Sequence, residues 1–259
     1  FDLYANIRPS YTRPGVPSAV REMDLVIVRE NTEGFYADRN MAAGSGEFMP
    51  TDDVALAVGK ATRAGCRRIA VAALELAGRR RGRLTLVHKA NVLKLYSGLF
   101  VEEVEKAALD FSGVELDAVI VDAMAALLVR EPERFDVVVT TNMFGDILSD
   151  EAAELAGGLG LAASINVGDV HCVAQAAHGS APDIAGRNEA NPVAFLHSTA
   201  MLLDYLGAGG GGNTLSAAAC LSEATDGLLA SPETRTRDLG GTLGTKAFGE
   251  AVAAAIRAG

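Results

Sequence analysis

The chain has 259 residues, 49% of them hydrophobic, and a formal net charge of −10. That length can bury a sizeable core in one large domain or two smaller ones, and so acidic a chain lacks the broad positive field that nucleic acid or an anionic membrane needs. Any anionic ligand must be caught by individual arginines.

No apolar run reaches the roughly 18 residues of a membrane helix and no signal-peptide pattern opens the sequence, so a soluble cytoplasmic protein is expected. Three cysteines (Cys66, Cys172, Cys220) at unrelated spacings argue against a disulfide framework or a thiolate metal site and read as packed thiols.

In chain order, the sequence begins at Phe1 without methionine and runs straight into FDLYANIRP, so an upstream segment is expected. Arg8 stands in NIRP. Residues 24–28 read as a buried strand with Arg29 at its end, where a guanidinium can offer its planar fork to a carboxylate; a surface salt bridge is the alternative. Tyr36 follows in ENTEGFY. Residues 58–76 have helical spacing. The run Arg79-Arg80-Arg81-Gly82-Arg83 has no interleaved aromatics and reads as a solvated turn rather than a nucleic-acid patch. Residues 83–87 form the next expected strand, with Lys89 just beyond it in HKANVL. Lysine in that place is a candidate general base and Tyr36 a candidate acid, although each residue is also common in purely structural roles.

A helix is expected over 97–111, strands over 116–121 and 135–140, and a helix over 142–155. This alternation predicts an α/β layer structure. Asp122 falls where the strand at 116–121 gives way to a helix. Asp146 and Asp150 lie one helical turn apart, where like charges repel by a few tenths of a kcal/mol unless a cation sits between them. Carboxylates at strand ends suit a hard divalent cation such as Mg²⁺ or Mn²⁺; helix capping with exposed acid is the other reading. Beyond Gly157 come helices at 192–206, 213–229 and 245–256, a flexible glycine-rich loop at 207–213, and few strands, as in half of a domain whose sheet lies elsewhere. HGSAPDIAG, 178–186, has small residues that let backbone approach a cofactor, and Asp183 could accept from a ribose 2′-hydroxyl. It is not the strand-linked G-x-G-x-x-G pattern, and alone it could be a turn.

NIRP, VRENTEGFY, HKANVL, VDAMA, NMFGDILSDEAAELAGGLGLA, HGSAPDIAG…ANP and DLGGTLGTKAF occur here in the order seen in the isocitrate/isopropylmalate dehydrogenase family, which the chain resembles over essentially its whole length. The resemblance implies an α/β fold that is isopropylmalate dehydrogenase-like, a two-domain three-layer α/β/α architecture with the first part of the large domain absent. Residues 1–156 would be the smaller, dimer-forming domain that binds substrate and metal, and 157–259 the C-terminal half of the nucleotide-binding domain.

It further implies that Asp146 and Asp150 hold Mg²⁺ or Mn²⁺ together with Asp122 of a second subunit. Arg8 and Arg29 would bind substrate carboxylates, Tyr36 would act as acid, and Lys89 would act as base across a homodimer with shared active sites. His178, Gly179, Ser180, Ala181, Pro182, Asp183, Ile184 and Asn191 would bind NAD, since NADP-using relatives tend to carry Lys-Tyr where this chain has Asp183-Ile184.

The expected activity is NAD-dependent oxidative decarboxylation of a small 2-hydroxy polycarboxylate: isocitrate, homoisocitrate or 3-isopropylmalate. Tartrate or D-malate as substrate, or a non-catalytic regulatory subunit, are the alternatives. ENTEGFY resembles isocitrate and homoisocitrate members more than the ELTGGIY usual in isopropylmalate members. Gln175-Ala176-Ala177 departs from the usual Glu-Pro-Val. The residues that read the substrate's variable group lie in the family's N-terminal portion, upstream of Phe1.

Overall fold

A computed structural model describes residues 1–36, 46–210 and 212–258. The elements in order are β1 (Ala5–Tyr11), β2 (Asp24–Glu30), β3 (Glu47–Thr51), β4 (Val54–Ala57), α1 (Arg63–Gly78), β5 (Arg83–His88), α2 (Tyr96–Ala108), β6 (Glu115–Ile120), α3 (Val121–Arg130), β7 (Val137–Thr140), α4 (Asn142–Ala156), β8 (Ala163–Val167), β9 (Cys172–Ala176), α5 (Val193–Ala208), α6 (Gly212–Leu229) and α7 (Thr245–Ala258). They form two compact units: residues 1–7, 24–149 and 167–171 make the first, and residues 8–23, 150–166 and 172–259 make the second.

The first unit holds strands in the order β6-β5-β7-β2, followed by the opening residues of β1. The β5–β6, β5–β7 and β2–β7 pairs are all parallel. Parallel neighbours need crossover connections, which α1, α2 and α3 supply. β2 is buried on both faces, as its near-continuous apolar sequence requires. Ile69, Ala70, Ala73, Leu74 and Ala77 recur at helical spacing and bury one side of α1 in a core shared with Val28, Leu84, Leu86, Phe100 and Val139.

The helix expected from residue 58 begins five residues later, at Arg63. Residues 54–57 instead pair as β4 with β3 in an exposed antiparallel ribbon, and Thr62 caps α1 by accepting the Gly65 N–H at 3.0 Å. The basic run at 79–83 is also more than a solvated turn. Arg80 Nε donates to Asp136 Oδ1 at 2.7 Å and the Arg81 backbone N–H to Asp136 Oδ2 at 2.9 Å, so the two arginines satisfy a fully buried carboxylate at the head of β7.

The second unit holds the end of β1, then β8 and β9, and helices α5, α6 and α7. Val16, Leu161, Val193, Leu229, Leu239, Phe248 and Val252 form its core. β8 and β9 were not expected: CVAQA in β9 is short, alanine-rich and half-exposed, without the β-branched run that marks a buried strand. Hydroxyls hold it in place. Ser164 Oγ and Ser198 Oγ both donate to the Gln175 carbonyl, at 2.6 and 3.0 Å. The expected loop at 207–213 narrows, because α5 runs to Ala208 and α6 starts at Gly212, while Gly211 lies outside the described residues. Of the cysteines, Cys66 is buried, and Cys172 and Cys220 are half-buried.

Candidate active site

In the first unit the parallel register sets the carboxyl ends of four strands side by side: Arg29 opposite Thr140, Val87 opposite Thr140, and His88 opposite Ile120. Residues at or just beyond those ends therefore share one rim, the usual place for ligands in open α/β sheets. Arg29 closes β2, Asn142 and Asp146 follow β7, Lys89 follows β5, and Asp122 follows β6. Adjacent strands are about 4.8 Å apart, so the β5 and β2 ends stand roughly 10 Å from one another.

Two ion pairs occupy this rim. Arg29 Nη1 donates to Asp146 Oδ1, while Arg29 Nε and Nη2 donate to Asn142 Oδ1 at 2.9 and 2.7 Å. The Tyr36 ring centroid lies 5.9 Å from the Arg29 guanidinium carbon, and Tyr36 is half-exposed. Lys89 Nζ donates to Asp122 Oδ1, and this hydrogen bond holds the exposed Asp122 carboxyl below the usual carboxylate range. Asp122 sits in the first turn of α3, where the helix dipole also favours an anion.

In the second unit, Arg8 on β1 pairs with Asp150 at 3.4 Å; the arginine side chain is mostly buried and the aspartate half-exposed. Each of the α4 aspartates thus meets an arginine that had been read as a substrate ligand. Among the described residues no three His, Cys, Asp or Glu side chains cluster closely enough to hold a metal by themselves.

The 178–186 stretch borders a cavity of about 440 Å³ lined by His178, Gly179, Ser180, Ala181 and Ile184, with Ala185, Gly186, Asn188, Glu189, Ala190 and Thr245. Pro182, Asp183 and Ile184 form a 3-10 turn, preceded by Ala181 in the left-handed region at φ 43°. Asp183 is exposed and does not line the cavity; neither does Pro182. Asn191 is engaged elsewhere: its Nδ2 donates to Asp238 at 2.9 Å and its Oδ1 accepts from the Val193 N–H at the start of α5.

Reading the sequence missed the anchoring of the rim. Asn142 precedes Asp146 by one helical turn, and that i, i+4 spacing places it on the carboxylate's face. A second network also went unread: Arg13 Nε at 3.0 Å and His197 Nε2 at 3.1 Å both meet Asp226 Oδ1. No short motif marks it, because its members are hundreds of residues apart in sequence or on separate helices.

The isocitrate/isopropylmalate dehydrogenase profile matches residues 1–252. The chain belongs to the isocitrate/isopropylmalate dehydrogenase family. An isocitrate/homoisocitrate dehydrogenase of Thermus thermophilus is 49% identical over 257 residues, which is 99% of this chain and 72% of the relative. A 3-isopropylmalate dehydrogenase of Methanothermobacter thermautotrophicus is 44% identical over 246 residues, 95% of this chain and 70% of the relative. The crystal structure of isocitrate dehydrogenase from Methylococcus capsulatus superposes with a TM-score of 0.90 at 41% identity, covering 99% of this chain and 74% of that one. The α/β fold is therefore that of this dehydrogenase family. No helix among the described residues is long and apolar enough to cross a membrane.

Proposed function

We propose that the chain carries out NAD-dependent oxidative decarboxylation of a malate-type 2-hydroxy acid, of the isocitrate, homoisocitrate or 3-isopropylmalate class, in a homodimer with shared active sites. The observation that carries this reading is the rim constellation: Arg29 held against Asp146 beneath Tyr36, on the same strand ends that present Lys89 and Asp122, in a chain of this dehydrogenase family.

The side chains present fit a hard divalent cation. Asp146 and Asp150 offer oxygen donors one turn apart on α4, and the third donor, Asp122, comes from the second subunit in this proposal. The cavity beside 178–186 falls in the size range of ligand pockets, and Gly179 has open space where a Cβ would stand, which leaves its backbone accessible to a dinucleotide. When bound, the cation supplies a Lewis acid and the dinucleotide a hydride acceptor.

The chain's own groups do the rest. Arg8 and Arg29 orient the substrate carboxylates through charge-assisted hydrogen bonds. Lys89 takes the proton from the 2-hydroxyl as the 2-oxo group forms. After CO₂ leaves, the Tyr36 hydroxyl returns a proton to carbon. In this proposal, residues 1–156 make the dimer-forming domain and 157–259 the half-domain that holds the nucleotide. Asp183 favours NAD⁺ over NADP⁺ because a carboxylate accepts from a 2′-hydroxyl and repels a 2′-phosphate.

A panel of isocitrate, homoisocitrate, 3-isopropylmalate, D-malate and tartrate tests the reading, with NADH and CO₂ measured together in the presence of Mn²⁺ and each dinucleotide. One CO₂ per NADH with one of the first three acids, and a higher kcat/KM for NAD⁺, is the expected result. Reduction without CO₂ release, or preference for NADP⁺, contradicts the corresponding part.

A further inference from the structure

Asn142, Gly145 and Asp146 stand at i, i+3 and i+4 on one face of α4, and each meets Arg29 in a different way. Asn142 is 4% exposed and Arg29 8%, so their contact is buried. The single Asn142 amide oxygen accepts from both Nε and Nη2, and its Nδ2 donates to the Glu33 carbonyl at 2.9 Å. Only an amide, in this one orientation, can satisfy the guanidinium and the carbonyl together. An aspartate would keep the acceptor but turn a carboxylate oxygen onto the Glu33 carbonyl.

Gly145 answers a different need. A Cβ there would lie 2.6 Å from Arg29 Cγ and 2.7 Å from Arg29 Cβ, distances that real Cβ atoms do not reach. Glycine is a poor helix former in mid-helix, so its presence in α4 conflicts with local propensity and is explained by the arginine stem that crosses it. With Asn142 taking Nε and Nη2 and Asp146 taking Nη1, the plane and depth of the guanidinium are fixed from one helix face.

We infer that Asn142 and Gly145 are positioning residues that set the Arg29 fork for the substrate carboxylate. This inference rests on the proposed role of Arg29 as a substrate ligand.

The test compares Asn142→Ala, Asn142→Asp and Gly145→Ala with the wild type. One readout is independent of turnover: the Arg29 Nε–H resonance in ¹⁵N NMR, assigned by its loss in Arg29→Lys. It should be slow to exchange in the wild type and in Asn142→Asp, and shifted and fast-exchanging in Asn142→Ala and Gly145→Ala. The second readout is the hydroxy-acid KM, expected to rise roughly ten- to a hundred-fold in Asn142→Ala and Gly145→Ala with kcat nearly unchanged, as for loss of uniform binding through a charged hydrogen bond.

Gly145→Ala should melt somewhat lower than the wild type, since displacing the Arg29 stem outweighs the gain in helix propensity, but it keeps every side chain that Arg29 bonds, so a raised KM with kcat unchanged in this variant separates positioning from a merely structural role. It also keeps the test open should Asn142→Ala fail to fold. An unchanged Arg29 resonance in both variants overturns the inference whatever the activity. A changed resonance with unchanged KM instead overturns the substrate role of Arg29. If the wild type has no turnover, the proposed activity falls and the resonance alone decides the positioning claim.

Discussion

His88 ends β5 one residue before Lys89, and burial holds its imidazole below the ordinary histidine pKa. Its Nδ1 accepts the Ala90 N–H at 3.1 Å, a bond that only the form unprotonated at that nitrogen can make. The folded state therefore favours neutral His88. Its contribution to stability is complete above the unfolded pKa of about 6.5 and is lost as pH falls through the lower folded value. His88→Gln keeps a possible acceptor for Ala90 and removes the titration. The fall in melting temperature between about pH 7 and pH 5 should be smaller in the variant than in the wild type; equal falls would show that protonation of His88 is not opposed by the fold. At this scale the sequence was most informative about the charged residues. Arg29, Asp146, Lys89 and Asp122 were all visible from strand ends and helical spacing. Their mutual pairing was not, because it depends on which strands lie side by side, and parallel strand order is set by crossovers rather than by local pattern. Asn142 was hidden in plain view inside NMFGD, since a neutral amide gives no sign of whether it faces solvent or a buried guanidinium.

Among the elements, α1 shows how a single residue fixes a boundary that periodicity misplaces. Apolar spacing continues backward from Arg63 to residue 58, but Thr62 is extended and its hydroxyl does two jobs: it accepts from Gly65 N–H at 3.0 Å and donates to Glu33 Oε1 at 2.7 Å. Glu33 is 9% exposed and also takes the Thr62 backbone N–H, so the cap ties α1 to the loop whose carbonyl at Glu33 receives Asn142. Thr62→Ala should cost about 1–3 kcal/mol, combining a lost N-cap with a weakened bond to a buried carboxylate. Urea unfolding checks the figure; a loss under about 0.5 kcal/mol would mean that water replaces both bonds. The strongly apolar elements, β2, β5, β7 and the spaced helices α2, α4 and α7, were legible because burial writes their period into the sequence. β1, β8, β9 and the exposed β3–β4 ribbon were not. The ribbon and β9 are exposed or half-exposed, so they leave no alternation to read, while β1 (ANIRPSY) and the mostly buried β8 (ASINV) mix small and polar residues with isolated apolar ones and carry no β-branched run.

For the whole molecule, the decisive question is how the proposed groups combine across a two-fold. If Lys89 and Asp122 serve the Arg29–Asp146 site of a partner, Lys89→Ala and Asp146→Asn chains should each be inactive alone. Co-expressed, they should recover roughly a quarter of the wild-type rate per chain, because half the dimers are hybrids and half the sites in a hybrid are whole. Hybrids confirmed by a tag on one chain, yet no faster than either single mutant, would place every group of a site within one subunit. The central claim, that the two α4 aspartates hold a cation on which turnover depends, is tested most directly by titrating Mn²⁺ against the steady-state rate of the wild type, Asp146→Asn and Asp150→Asn, with circular dichroism to confirm the fold. The account predicts wild-type turnover abolished by chelator and restored by Mn²⁺, and both variants folded but nearly inactive even at high Mn²⁺. Turnover that survives chelation, or variants with near-normal rates at low Mn²⁺, would contradict it.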